Sequence, residues 1–261
     1  MNLMILIGTM IGIASIYFGI PELRDSLFVY LDLNSFILVA GGTLACTIIS
    51  STFNDFKSVM SVLSGWMYMK RKSSSHFNTV TKLIEISEMA TTSGKASVLE
   101  MGKGFGDGFL ERSLSLMGTG LEEEFVRQSL ETDINEEKKR HTRTGTIVRS
   151  MGSFAPMFGM MGTVMGVMQV LRNISDIDSI VSGMALALLT TLYGLVMSSL
   201  FFIPVTNKLK FLNDEDTLTK QIIMEGVLAI MQDQIPLKVE KKLMSYVSTK
   251  IKTKAAKQKG G

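Results

Sequence analysis

Four stretches of this sequence contain no Asp, Glu, Lys or Arg: residues 1–21, 33–54, 150–171 and 179–207. A helix needs about 20 mainly apolar residues to cross the hydrocarbon layer of a bilayer. A backbone surrounded by lipid must also satisfy its own hydrogen bonds, which a helix does internally. The pattern therefore predicts an all-α integral membrane protein with four transmembrane helices. The first runs from about Asn2 to Ile20 and stops at Pro21-Glu22, and the second from about Ser35 to Phe53. The third runs from about Arg149 to Leu171, and the fourth from about Ile180 to Val205, with Pro204 near its end. Composition agrees: 46% hydrophobic residues and a mean hydropathy of +0.28 are too apolar for an ordinary soluble domain.

Orientation follows from the basic residues, which concentrate in cytoplasmic segments. The short links after the first and third spans hold only Arg24 and Arg172; all the rest of the 27 Lys and Arg lie between spans two and three or after span four. Both of those segments, and both termini, are predicted to be cytoplasmic. The chain then divides into spans one and two (1–54), a large helical loop (55–148), spans three and four (149–207) and a helical tail (208–261). No Lys or Arg precedes the first apolar run and no clear small-x-small cleavage site follows it, which argues against a signal peptide.

The polar segments read as helical. Phe109, Leu110, Leu114 and Met117 share one helical face; after a break at Gly118 and Gly120, Phe125, Val126, Leu130 and Ile134 share another. In this second helix Glu122–Glu124 occupy the first turn and Lys138–Arg140 the last, which suits the helix dipole. Leu209, Leu212, Leu218, Ile222, Ile223, Val227 and Ile230 repeat the pattern, in line with a fourth span that continues as one long helix. The last stretch, Lys250–Gly261, has five lysines and reads as a frayed end near anionic headgroups.

Several functions find no support. Cys46 is the single cysteine, and His76 and His141, read as surface histidines, have no second ligand at metal spacing. The pI near 8.9 reflects membrane-flanking charge without the interleaved aromatics of nucleic-acid binding. Gly102–Gly108 lacks the preceding strand and closing GK[ST] of a phosphate loop and reads as a turn. No nucleophile–base pair appears, so neither enzyme activity nor a cofactor is expected.

The spans carry no ionisable carboxylate or amine, whereas ion-coupled machines place such a group where the ion binds. If this chain conducts ions, another chain supplies the charge. The polar residues left to line a path are Thr163 and Gln169 in span three and Thr190, Thr191, Tyr193, Ser198 and Ser199 in span four. Ser198 and Ser199 are expected to bond back to their own helix. Thr190 and Thr191 project about 100° apart, so at least one should face a protein neighbour. Gly162-x-x-x-Gly166 and Gly8-x-x-x-Gly12 are faces for close helix packing.

Specific strings then resemble one family. RSMGSFAPMFGMMGTVMGVMQVL (149–171), GMALALLTTLYGLVMSS (183–199), QIIMEGVLAI (221–230), VAGGTLA (39–45) and FVRQSLETDI (125–134) are similar, in order, to the MotA/PomA flagellar motor stator subunits. The resemblance implies four spans in the bacterial inner membrane. It also implies a homo-oligomer of five copies around two copies of a single-span MotB/PomB-like partner with a membrane Asp and a peptidoglycan-binding domain. Ion flow would drive rotation against the rotor's FliG-type switch complex. By position, Pro156 and Pro204 match the family's two prolines near the ion path, and Thr163, Thr190 and Thr191 its hydroxyls beside the partner Asp; Tyr193 lies in the same LLTTLYG string. GTxxG with LLTTLYG looks like the sodium-driven PomA branch. Sodium needs several oxygen ligands where a proton needs one carboxylate and a relay, so Thr163, Thr190 and Thr191 are expected to hold a transient sodium ion with the partner Asp.

The rotor-facing segment departs from the family. Where a basic pair precedes an acidic residue, this chain reads Ala90-Thr-Thr-Ser-Gly-Lys-Ala-Ser-Val-Leu-Glu100, with Thr91 and Thr92 in place of the pair. Glu100 matches the acidic position, and Lys95, Lys103 and Arg112 are the nearby cations expected at the rotor interface. The alternatives are an ExbB/TolQ-like energiser of an envelope machine, usually with three spans and an external N-terminus, and a membrane scaffold without ion flow. The first apolar window separates the energiser from the stator.

Overall fold

The structure, a computed structural model, describes residues 3–19, 30–65, 76–105 and 107–247. Its helices are α1 (Leu3–Gly19), α2 (Leu33–Ser50), α3 (Phe53–Gly65), α4 (His76–Ser93), α5 (Phe109–Gly118), α6 (Glu123–Arg172), α7 (Ile177–Met231) and α8 (Pro236–Met244). No strand occurs among the described residues. α2, α6 and α7 each contain a stretch long and apolar enough to cross a membrane, and α1 is an apolar helix of 17 residues. The all-α, four-span architecture thus stands. Asn2, Ile20, Pro21, Glu22, Arg24 and the lysine-rich tail lie outside the described residues.

Three boundaries differ from the sequence reading. α2 begins two residues early because Asp32 caps it: its carboxylate accepts from the Ser35 amide at 2.7 Å and the Ser35 hydroxyl at 2.5 Å. Asp176 and Ser179 repeat this cap at the start of α7, and the Ser179 hydroxyl holds the Asp176 carboxyl below its ordinary value. The helix that begins with the acidic first turn, Glu123 and Glu124, does not end at Arg140 but runs on through the third span. Lys138, Lys139 and Arg140 therefore sit mid-helix, and the helix-end explanation for them fails. α7 is one long helix, as the repeated apolar pattern implied.

The chain forms two compact units. The first takes residues 1–70 and 141–210 and so holds the apolar spans. Its buried cluster is Val39, Val59, Val148, Met151, Ala155, Phe202 and Val205. The second takes residues 71–140 and 211–261, and buries Val80, Leu83, Ile86, Phe109, Leu110, Leu114, Val126, Leu130, Ile134, Ile222, Val227, Leu228, Val239 and Leu243 among others. Phe109, Leu110, Leu114, Val126, Leu130, Ile134, Ile222 and Val227 are positions read from periodicity, whereas Phe125, read on the same face as Val126, is 54% exposed; each buried apolar side chain removed from water contributes about 1.5–3 kcal/mol.

Among the described residues of this second unit, one charged side chain is buried. Lys220 is 3% exposed and places its ammonium 2.6 Å from both Asp216 and Glu137. Burial alone would push its pKa down, but the hydrogen bonds to Asp216 and Glu137 outweigh that and hold it above the usual lysine value. Its contribution is therefore complete at neutral pH and is lost only as pH rises through the folded value. Lys220→Met leaves two carboxylates facing each other without their cation and is expected to destabilise this unit by about 3–5 kcal/mol. Limited proteolysis of residues 76–140 at neutral pH measures the loss.

Candidate ion pathway

The third and fourth spans touch along a seam of glycines. A Cβ on Gly162 would lie 2.3 Å from Thr190 Oγ1, and one on Gly166 2.3 Å from the Gly183 carbonyl oxygen. One on Gly194 would lie 2.6 Å from the Ala155 carbonyl oxygen. No other residue permits this approach of backbone to backbone, the small-residue packing that drives helix association in lipid.

The seam brings the predicted hydroxyls together. Thr163 Oγ1 and Thr191 Oγ1 are 2.7 Å apart. Thr163 reaches the Gly159 carbonyl at 3.1 Å, and Thr191 the Ala187 carbonyl at 3.1 Å, each one turn back on its own helix. Each also reaches the other helix's carbonyl, Thr163 to Ala187 at 3.5 Å and Thr191 to Gly159 at 3.4 Å. Four oxygens thus converge, and both hydroxyls are partly exposed. Thr190 belongs to the same cluster but is fully buried beneath Gly162, with its hydroxyl donated to Leu186 at 2.8 Å. It braces the seam, while Thr163 and Thr191 face outward from it.

Pro156 is half-buried on the seam, two helical turns or about 10 Å along α6 from Thr163. Proline has no N–H, so the Gly152 carbonyl four residues earlier loses its helical donor. Ser198 supplies one from α7, its buried hydroxyl donating to Gly152 O at 2.6 Å. The expectation that Ser198 bonds within its own helix is overturned: the proline creates a vacant acceptor across the seam. Ser199 does bond back, to Leu195 at 2.7 Å. Pro204 is exposed and lies 13 residues beyond Thr191, about 20 Å along α7, so the structure does not bring it to the hydroxyl pair.

Tyr193 points elsewhere. Its hydroxyl donates to the Tyr30 carbonyl and accepts from the Asp32 amide at 2.9 Å, and its ring meets Phe36 edge-on. It thereby holds the entry to α2. This contact also sets Asp32 against the fourth span, at a cavity of about 420 Å³ that includes Phe36, Tyr193 and Met197. Sequence windows missed Asp32 because it lies one residue outside a charge-free run; its D-x-x-S capping pattern was the available signal.

The expected rotor-facing residues all lie in the second unit. Gly102 packs against the Glu111 backbone, where a Cβ would come within 2.9 Å, and so sets the turn of residues 99–103 beside the start of α5. Gly106, in the glycine run, lies outside the described residues. Glu100 and Lys103 pair at 2.9 Å on the surface. Lys95 binds the Met231 carbonyl at 2.8 Å and the Asp233 carboxylate at 2.9 Å, closing the C-terminal end of α7. Arg112 pairs with Asp133 at 3.3 Å and lies over the Phe109 ring. Thr91 and Thr92 donate back to Ser87 and Glu88 within α4. His76, read as a surface residue, is instead half-buried with Nε2 3.8 Å from a Glu215 carboxylate oxygen, while His141 is exposed.

These features define a helical membrane protein with an oxygen cluster on a glycine seam and a second, polar helical unit. The model of the MotA/TolQ/ExbB proton channel family matches residues 102–222. The chain is 31% identical over 248 residues to the chemotaxis protein PomA of Vibrio alginolyticus, covering 95% of this chain and 96% of that one. It is 30% identical to motility protein A of Borreliella burgdorferi over the full length of both. The flagellar MotAB stator complex from Bacillus subtilis matches in fold, with a TM-score of 0.87 at 23% identity over 96% of this chain and 98% of that one. The chain belongs to the MotA/TolQ/ExbB family, as a MotA-type channel subunit rather than an enzyme.

The Ser198 bond separates two neighbouring serines. Ser198→Ala leaves the Gly152 carbonyl without a donor in a buried seam and is expected to cost about 1–3 kcal/mol. Ser199→Ala is expected to be near neutral, since its carbonyl keeps its helical partner. Thermal unfolding of the two variants in the same detergent measures the difference.

Proposed function

We propose that this chain is the ring-forming, ion-conducting subunit of a bacterial flagellar stator. It sits in the inner membrane with both termini in the cytoplasm, five copies around two of a single-span MotB/PomB-type partner. The partner's membrane Asp carries the ion and its outer domain holds peptidoglycan, while the second unit of this chain pushes on the FliG-type switch complex of the rotor. Full-length similarity to motility proteins and four apolar helices favour this over an ExbB/TolQ-like energiser.

The observation that carries the reading is the Thr163–Thr191 pair on a seam that has no charge of its own. Each hydroxyl has an i−4 carbonyl to take its proton, Gly159 for Thr163 and Ala187 for Thr191. With both protons turned inward, lone pairs on both oxygens point to one shared cation. Hard cations are held by such oxygens, and membrane ion sites are built from carbonyls and hydroxyl-type donors in this way. A proton requires only the partner's carboxylate, so the paired hydroxyls favour sodium as the coupling ion. Thr190, sealed in the seam, fixes the distance between the helices that carry them.

Thr163→Ala and Thr191→Ala are each expected to cut sodium-dependent torque about tenfold, the effect of about 1.4 kcal/mol of lost ion affinity; Thr→Ser at either position retains most of it. Unchanged dependence of swimming speed on sodium in both alanine variants rules out this ion site. At the surface of the second unit, Glu100→Lys is expected to abolish the pair with Lys103 and impair motility, with membrane insertion unchanged. Normal swimming would place the rotor contact elsewhere.

A further inference from the structure

Beneath the Pro156 level the third and fourth spans part around a pocket of about 200 Å³ lined by Arg149, Gly152, Ser153, Ile203, Thr206 and Asn207. At about 30 Å³ per water this is the volume of roughly six or seven waters. Its place in the sequence is specific: Arg149 directly precedes one charge-free run, 150–171, and Asn207 ends another, 179–207. Both therefore lie where apolar helix gives way to charge, the depth of lipid headgroups.

The chemistry of the pocket is that of an oxyanion site. Arg149 is exposed and, among the described residues, pairs with no carboxylate, although Arg112, Arg127 and Arg143 each do. The Asn207 side chain is likewise exposed and makes no hydrogen bond among the described residues. The Ser153 hydroxyl has only a 3.5 Å contact to the Arg149 carbonyl, at the limit of a hydrogen bond, and is free to turn outward. Thr206 is committed to Phe202 at 2.9 Å and contributes shape rather than a donor. No carboxylate lines the pocket, and its one carbonyl of note, Gly152, already accepts from Ser198.

The geometry points to a binding site for a phosphate group, supplied at this depth by the headgroup of an anionic phospholipid such as phosphatidylglycerol. The Arg149 guanidinium takes two phosphate oxygens through its planar fork, and Asn207 Nδ2 and Ser153 Oγ donate to the others. Basic pockets between spans on the cytoplasmic side of a membrane hold lipid headgroups on the same principle. Lipid at this point would rest against the Gly152–Ser198 contact and so against the proline that breaks the α6 ladder.

The test uses the full chain, with whatever partner co-purifies, in nanodiscs of defined phosphatidylglycerol and phosphatidylcholine content. Native mass spectrometry after extraction reads the lipid retained. Wild type is expected to keep phosphatidylglycerol over phosphatidylcholine at up to one per chain, with retention falling at least fivefold in Arg149→Gln and less in Arg149→Lys. Asn207→Ala, an exposed change that leaves the fold intact, is expected to lower retention two- to threefold. Equal retention of both lipids, or phosphatidylglycerol retention unchanged in Arg149→Gln, overturns the site. In lipid-depleted detergent, saturable binding of inorganic phosphate lost in Arg149→Gln would support the oxyanion site; without lipid retention it would overturn the lipid as its source. A partner-chain acidic segment that cross-links at Asn207 and excludes lipid overturns it as well.

Discussion

The close approach of the third and fourth spans sets the geometry of the rest of the membrane unit. In lipid, apolar side chains gain nothing by leaving water, so helices associate by packing and by hydrogen bonds between them. Gly162, Gly166, Gly183 and Gly194 provide that packing by removing the side chain where two backbones meet. This close approach places Thr163 Oγ1 2.7 Å from Thr191 Oγ1.

The same seam resolves the polar groups that prolines leave behind. Pro156 takes a donor from α6, and Ser198 on α7 replaces it. Pro204 takes one from α7, where the six residues before Ile203, Met197–Phe202, widen to π-helical spacing. A wider turn re-pairs carbonyls that a proline would otherwise strand, and it is tolerated at membrane depth when neighbouring helices and hydroxyls satisfy the backbone. No buried side-chain nitrogen or oxygen lacks a partner among the described residues.

Much of this was legible in the sequence, and the parts that were not share a cause. Charge-free runs locate spans because desolvating a charge costs so much, and the apolar faces of Phe109–Met117 and Val126–Ile134 follow from helical spacing. The hydroxyl cluster was readable because Thr163, Thr190 and Thr191 lie near the middle of their spans, where a polar group needs a partner. What escaped depends on contacts between segments distant in sequence. Ser198 was expected to bond within its own helix because only the fold sets Pro156 across from it, and only the fold sets Tyr193 against the Asp32 amide. Nothing in the sequence distinguishes Lys220 from other lysines of the polar segments, because Glu137, its partner 83 positions away, comes from another helix. The 50-residue length of α6 was hidden for a different reason: its polar half and its apolar half look like separate elements to any measure of hydrophobic periodicity.

The spans of this chain carry no charge, so the proposed ion path depends on a carboxylate brought by another chain. Sodium flux into vesicles that contain this chain alone, compared with vesicles that also contain a single-span acidic partner, measures that dependence most directly. Flux is expected only with both chains present and is expected to vanish when the partner's membrane carboxylate is replaced by its amide. Sodium flux through this chain alone would contradict the account.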